Sequence, residues 1–192
     1  AAILTQYRLE TLQKEGNLNA PVVVKTEVTT DLLRRIVTSF GGTCLGSLLV
    51  GFKYIAAAIQ AWEEGRNFLG VEGSPERFIV GTEESHGILL TPEIRDKDAA
   101  GAALLLANLA SECKEQGSNL CDYLDNIFKK YGFFSNQLTS LIMEGAAGIT
   151  NIRRMQEELR HNPPTEIAGI PIIQAINHWD EDGLFGPIQS ET

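Results

Sequence analysis

Three short apolar runs, residues 21–25, 44–50 and 77–80, are separated by stretches of helical periodicity. Runs of this length bounded by turn residues mark strands buried on both faces. Pro21-Val22-Val23-Val24-Lys25 is the clearest, being almost wholly β-branched. Thr29-Thr30-Asp31 then supplies capping chemistry for a helix through Ile36 to Phe40, and Gly41-Gly42 closes it. Beyond Gly51, the residues Phe52, Ile55, Ala56 and Ile59 recur at helical spacing and form a buried stripe. Strands that alternate with helices must bury both sheet faces. The predicted fold class is α/β, a three-layer α/β/α domain with a small mixed sheet, followed by a partial α+β segment.

The flanking segments fit this frame. Residues 1–15 read as a helix with Ile3, Leu4, Tyr7 and Leu12 inward, ended by Gly16-Asn17. Residues 97–114 predict a helix apolar almost all round, which should be covered on most sides. Gly117 breaks it, and Ser118 is the expected cap of a next helix with Leu120, Leu124, Ile127, Phe128 and Tyr131 inward, ended by Gly132. The composition then shifts. Residues 137–143 look extended, and residues 145–148 read as a flexible link. Ile149, Ile152, Met155 and Leu159 mark a short amphipathic helix, stopped by Asn162-Pro163-Pro164. Residues 167–173 suggest a strand, and an acidic irregular tail starts at His178. The expected division is a domain over 1–134 and a linker with a partial second domain over 135–192.

Charge and cysteines exclude several classes. The formal net charge is -9, from 16 Lys and Arg against 25 Asp and Glu, with no clustered basic face for nucleic acid. An anion site must therefore be local. Cys44, Cys113 and Cys121 are scattered and fit neither a zinc site nor a redox pair. They are expected as small buried or half-buried thiols in a reducing cytoplasm. No apolar run approaches the roughly 20 residues of a membrane span. The chain opens at Ala1 without a methionine, inside a helix, and is expected to be a fragment.

Candidate chemistry concentrates in Gly81-Thr82-Glu83-Glu84-Ser85-His86-Gly87 and in Arg95-Asp96-Lys97-Asp98. The first is expected to be a tight polar loop between two extended segments, with Gly81 and Gly87 allowing the turn. Glu83, Ser85 and His86 carry donors and acceptors of the kind that read hydroxyl groups. Asp96 or Asp98 suits the start of the following helix, whereas Arg95 and Lys97 oppose its dipole. Binding an anion, or pairing with Glu83 and Glu84, would account for those cations. At Gly51-Phe52-Lys53 a strand, a glycine and a helix N-terminus follow one another, which is a geometry that receives anionic oxygens, with Lys53 adding a charge. An ordinary strand-to-helix turn with a solvated lysine is the plain alternative.

The order Gly51-Phe52-Lys53-Tyr54, Glu-Glu-Ser-x-Gly (83–87) and Arg-Asp-Lys-Asp (95–98) resembles the third domain of the phosphoglucomutase/phosphomannomutase (alpha-D-phosphohexomutase) family. The resemblance covers residues 1–132, with a weaker echo from His161 to Gly169 like the entry to the family's fourth domain. It implies an enzyme that moves a phosphoryl group between the 1- and 6-hydroxyls of a hexose, using a phosphoserine, Mg²⁺ and a glucose 1,6-bisphosphate-type intermediate. It further implies that Glu83 and Ser85 grip ring hydroxyls and that Lys97 is the catalytic residue near the reacting oxygen and phosphate. Gly51, Lys53, His86 and Arg95 are further candidate substrate contacts; family members often carry an aromatic residue at the position of His86, so packing or stacking is an equal alternative there. Val50 stands where family members usually carry threonine, so a side-chain contact there is lost.

Three working parts implied by the resemblance are absent: a Ser-His-Asn-Pro serine loop, an Asp-x-Asp-x-Asp metal loop and an Arg-x-Ser-Gly-Thr phosphate loop. His161-Asn162 follows Arg160 rather than serine, and Asp180-Glu181-Asp182 is an acidic tail rather than a metal loop. The expected partners are a phosphosugar and the missing domains of the same polypeptide, in the cytoplasm, with no nucleic acid and no membrane. The fragment alone should be inactive. Two other classes compete: a hydrolase using Glu83 and Glu84 as an acid/base pair, and a non-enzymatic α/β interaction module in which Glu83, Arg95 and Lys97 form a structural charge cluster.

Overall fold

Strand β1 (Val22–Thr26) lies at the heart of the sheet, with all five residues buried. The computed structural model describes residues 1–84, 86–137 and 139–175. The chain divides after Gln137 into two units. In the first, β2 (Thr43–Leu48), β1, β3 (Phe78–Glu83) and β4 (Gly87–Leu89) form one sheet in the order β2-β1-β3-β4. β1 runs parallel to β2 and β3, and β4 turns back antiparallel on β3, so the sheet is mixed.

Two crossover helices take opposite faces, as right-handed connections require when strand order reverses. α2 (Leu32–Ser39) joins β1 to β2 and buries Leu33, Ile36 and Val37 against Val23, Ile79 and Val80. α1 (Ala2–Lys14) and α5 (Leu120–Tyr131) contribute Leu9 and Ile127 to the same cluster. α3 (Phe52–Glu63) joins β2 to β3 on the other face, where Ile55 meets Phe78 over Gly81. Each fully buried Ile or Leu stabilises the fold by about 1.5–3 kcal/mol.

One irregularity sets which side chains share a face. Val22 pairs with Phe78 but Val23 pairs with Val80, so Ile79 is an extra residue in β3. Ile79 and Val80 therefore enter the same core cluster although they are consecutive. Beyond the extra residue the alternation is inverted. Phe78, Gly81 and Glu83 fall on the α3 face.

α4 (Ala99–Glu115) follows β4 and packs on α1, where Leu109 and Cys113 cluster with Tyr7. Tyr7 donates to Glu112, and Tyr123 donates to Glu10 Oε2 at 2.6 Å, tying α1 to α4 and α5. Burial, then the Glu112 bond, pushes the Tyr7 hydroxyl up to about 12. In the second unit α6 (Gly145–His161) precedes a small hairpin of β5 (Glu166–Ile167) and β6 (Ile170–Pro171).

Several expectations need correction. α4 begins at Ala99 and is not covered on most sides: Leu109 and Cys113 are its buried residues, while Leu104 is 66% exposed. Gly81 lies inside β3 rather than in a turn, because Cβ-free backbone is needed against Ile55. The cap of α5 is Asn119, not Ser118; Asn119 and Asp122 form a reciprocal capping box, and the Ser118 hydroxyl bonds to the Cys113 carbonyl. Residues 145–148 are the first turn of α6 rather than a flexible link. Residues 167–173 form a two-stranded turn instead of one strand. Cys121 is exposed, unlike Cys44 and Cys113. His178 and the acidic residues 180–182 lie outside the described residues.

Asp31 also departs from its expected use. It occupies the α2 N-cap without a capping hydrogen bond. Its carboxylate instead meets the ammonium of Lys25 at 3.2 Å. Lys25 is 2% exposed, and it donates to the carbonyls of Thr29 at 2.9 Å, Gly46 at 3.3 Å and Thr26 at 3.4 Å. Removing a buried cation strands all of these acceptors. Lys25→Ala is therefore expected to cost about 3 kcal/mol in urea unfolding, and Lys25→Met, which refills the space, about half as much. Equal losses would show that volume, not charge pairing, is what Lys25 supplies.

Candidate functional site

Glu83 ends β3 on the α3 face and is 6% exposed. One carboxylate oxygen, Oε1, lies 3.1 Å from the Lys97 ammonium. The other, Oε2, is buried with no hydrogen-bond partner among the described residues. A buried carboxylate oxygen without a donor is costly unless a ligand supplies one. Lys97 is 41% exposed and also reaches Asp96 Oδ1 at 3.4 Å. Its ammonium stands over the Phe52 ring, 4.8 Å from the centroid.

Phe52 is the first residue of α3, directly after Gly51. Gly51 has φ 134° and ψ 127°, a conformation that side chains disfavour. The Tyr54 amide donates to the Gly51 carbonyl at 3.2 Å, while helix geometry leaves the Phe52 and Lys53 amides without intrahelical acceptors. The Phe52 ring reaches the Lys97 ammonium beside Glu83. Lys53 is exposed, with its ammonium 5.2 Å from the neighbouring Tyr54 ring. Val50 is 55% exposed.

Two backbone devices bring the charged loop back to this corner. The Thr82 hydroxyl donates to the Gly87 carbonyl at 3.0 Å, closing a hairpin whose last pair is Glu83 and Gly87. The Asp98 amide donates to the Ile88 carbonyl at 2.7 Å, and its carboxylate accepts from Gly101 at 3.0 Å, starting α4. Asp98, not Asp96, is the cap. The Lys97 amide donates to Asp96 Oδ1 at 2.8 Å and holds that carboxyl below its ordinary range.

Gly87 is the close-packed centre. A Cβ there would stand 2.6 Å from Glu83 Cγ, 3.0 Å from Lys97 Cε and 3.0 Å from Phe52 Cε2. Sequence reading assigned Gly87 to a turn; its use is this close approach. The turn residue is instead His86, exposed at φ 61°.

The structure thus brings Glu83 and Lys97 together with Phe52, the residue after Gly51, while the recorded contact of Lys53 is with Tyr54. Arg95 goes elsewhere: it pairs with Glu63 and donates to the Pro92 carbonyl. Glu63 closes α3 at the end opposite Phe52, about 16 Å away at helical rise. Sequence reasoning missed Glu63 as that partner, and it missed Phe52 as a ring for Lys97 although both lie in or beside the motifs it singled out. Ser85 lies outside the described residues. Glu84 is exposed while the adjacent Glu83 is buried, so the two carboxylates do not converge as a hydrolase pair would need. Among the described residues no group of three His, Cys, Asp or Glu could hold a metal ion, and no helix is long and apolar enough to cross a membrane. The hollow of about 760 Å³ lined by Arg34, Arg35, Lys130 and Tyr131 lies at α2 and α5, among none of these residues.

Residues 1–131 match the family model described as phosphoglucomutase/phosphomannomutase, alpha/beta/alpha domain III. A phosphoglucomutase of Staphylococcus epidermidis is 33% identical over 172 residues, which is 90% of this chain and 29% of the relative. A phosphoglucomutase of Staphylococcus aureus (strain N315) is 33% identical over 189 residues, 94% of this chain and 32% of the relative. A solved chain from Thermus thermophilus, described as a phosphomannomutase, aligns at 21% identity with TM-score 0.47, over 74% of this chain and 30% of its own. The chain spans under a third of the length of these curated relatives.

Two measurements test the site. Gly87→Ala is expected to lose about 2 kcal/mol by overpacking, whereas His86→Gly should change stability by less than about 1 kcal/mol; urea unfolding reads both. The bond to Glu83 is the largest cause that raises the Lys97 pKa above its ordinary 10.5. A raised folded-state value means the pair's contribution is complete below the unfolded lysine pKa and is lost as pH rises through the folded one. Glu83→Gln should lower the Lys97 midpoint in a side-chain NMR titration; an unchanged midpoint would show that the pair is not formed in solution.

Proposed function

This chain belongs to the phosphoglucomutase/phosphomannomutase family, and we propose on that premise that it is the sugar-recognising third domain, with the start of the fourth, of a phosphohexomutase. The parent interconverts hexose 1-phosphate and 6-phosphate in the cytoplasm, and this chain alone is inactive. The observation that carries the reading is Glu83 Oε2, buried and without a donor among the described residues, beside an Oε1 already bonded to Lys97.

A hexose ring offers adjacent hydroxyls. One donates to Glu83 Oε2, and Ser85 takes a neighbouring one. The same two contacts serve a sugar presented either way round, as exchange of phosphate between its two ends requires. The phosphate end meets the amides after Gly51 and the charge of Lys53. Lys97 stands between, near enough to Glu83 to contact the sugar oxygen that receives or loses phosphate. There it steadies negative charge and holds a proton at its ammonium. His86 lines the hairpin tip beside the sugar. Arg95 joins only by exchanging Glu63 for a phosphate oxygen. Mg²⁺ and the phosphoserine supply the phosphoryl-transfer chemistry. The described residues do not fit a metal site and the sequence holds no Ser-His-Asn-Pro loop; both groups are assigned to other domains of the polypeptide, which are this chain's partners together with the phosphosugar.

A second reading is favoured by one observation: Lys97 pairs with Glu83 and Arg95 with Glu63. These ion pairs would suit a structural charge cluster in a non-enzymatic interaction module. The unpartnered Oε2 has no use in that case.

Titration of the chain with glucose 1,6-bisphosphate, followed by amide NMR, separates the two. Saturable shifts confined to Gly51, Lys53, Glu83, Ser85 and Lys97, abolished by Glu83→Ala, are the expected result at millimolar ligand. Shifts that survive Glu83→Ala would defeat the sugar-recognition reading, and mutase turnover by this chain alone would defeat the claim that it is inactive.

A further inference from the structure

We propose that Phe52 is a positioning residue for Lys97, its ring holding the lysine ammonium between Glu83 and the first turn of α3. The catalytic consequence rests on the function proposed above; the placement does not.

Lysine carries a flexible four-carbon stem, and fixing it costs side-chain entropy. Two carboxylates compete for the Lys97 ammonium. Glu83, with a side chain 5% exposed, draws it inward at 3.1 Å, and Asp96, 77% exposed, draws it outward at 3.4 Å. Solvent screens the outer pair and weakens it. The third neighbour is the Phe52 ring, whose centroid lies 4.8 Å from Nζ. An aromatic face is negative and attracts an ammonium. That attraction favours the inward geometry, and an aliphatic side chain of similar bulk does not supply it.

The ring is also a rigid reference. Phe52 is 6% exposed and begins α3. Its Cε2 lies 3.0 Å from where a Gly87 Cβ would stand, and Lys97 Cε and Glu83 Cγ crowd the same point. Phe52 therefore links three stretches that are remote in sequence: the turn after β2, the β3–β4 hairpin and the loop before α4. Its own amide is one of the open donors at the start of α3. An anionic oxygen seated on that turn is thus presented to Lys97 by the same residue that holds Lys97 in place.

The test uses the full 192-residue chain with lysines labelled at Cε. Ring current should displace the Lys97 Hε signals upfield, with cross-relaxation to the Phe52 ring; assignment comes from Lys97→Met. Phe52→Leu should lose the displacement and Phe52→Tyr should keep it. Lys97 signals at ordinary lysine positions in the unaltered chain overturn the proposal, as does a displacement that persists in Phe52→Leu. If Phe52→Leu does not fold, the unaltered chain and Phe52→Tyr decide, since both must show the displacement. In the full-length parent, Phe52→Leu should lower kcat about tenfold with KM changed less than about twofold, and Phe52→Tyr should restore it. Equal kcat in the Leu and Phe enzymes overturns the positioning role. A parent with no mutase turnover at all, while the ring-current result stands, would instead defeat the sugar-phosphate reading alone.

Discussion

The extra residue Ile79 in β3 decides what the sheet can present at its edge. Strand geometry permits two faces and strict alternation. Without the extra residue, Phe78 and Glu83 would point to opposite faces, and Glu83 would enter the core formed by α1, α2 and α5. With it, Glu83 reaches the face of α3 and the neighbourhood of Phe52 and Lys97. The inserted side chain is not wasted, because Ile79 fills the same apolar cluster as Val80.

The second constraint is spatial. A carboxylate, an ammonium and an aromatic ring converge on Gly87, and the absence of a single carbon there allows it. Among the described residues one oxygen of the Glu83 carboxylate is bonded and the other is not. Lys97 compensates the buried charge.

Much of this was legible in the residues. The β-branched run of β1 and the helical stripe of α3 specify their elements locally, and Gly51 stands where a strand passes into a helix. The three motifs marked Gly51, Glu83 and Lys97, which the fold gathers at one edge of the sheet. What was not legible depends on tertiary pairing. A one-residue irregularity has no signature in alternation, since Arg77-Phe78-Ile79-Val80 reads the same with or without it. Arg95 finds Glu63 because α3 returns past the charged loop, and charge pairing at that separation leaves no periodicity. Lys25 looked like the end of a strand; its burial is made acceptable by carbonyls from three segments. Apolarity of α4 predicted cover, but its contacts in this unit occupy one stripe, so Ala99, Ala100, Ala103, Leu104, Leu106 and Ala107 stay exposed.

The bond from the Asp98 amide to the Ile88 carbonyl has a second effect. Ile88 is the middle residue of β4, the outermost strand on that side of the sheet. Outer strands offer unpaired backbone groups to any passing extended chain, and proteins blunt them by shortness or by cover. β4 spans Gly87–Leu89, and its central carbonyl is already taken. The loop that delivers Lys97 therefore also blunts the sheet margin against self-association. Lengthening that loop would loosen Lys97 and unmask a sticky border at once.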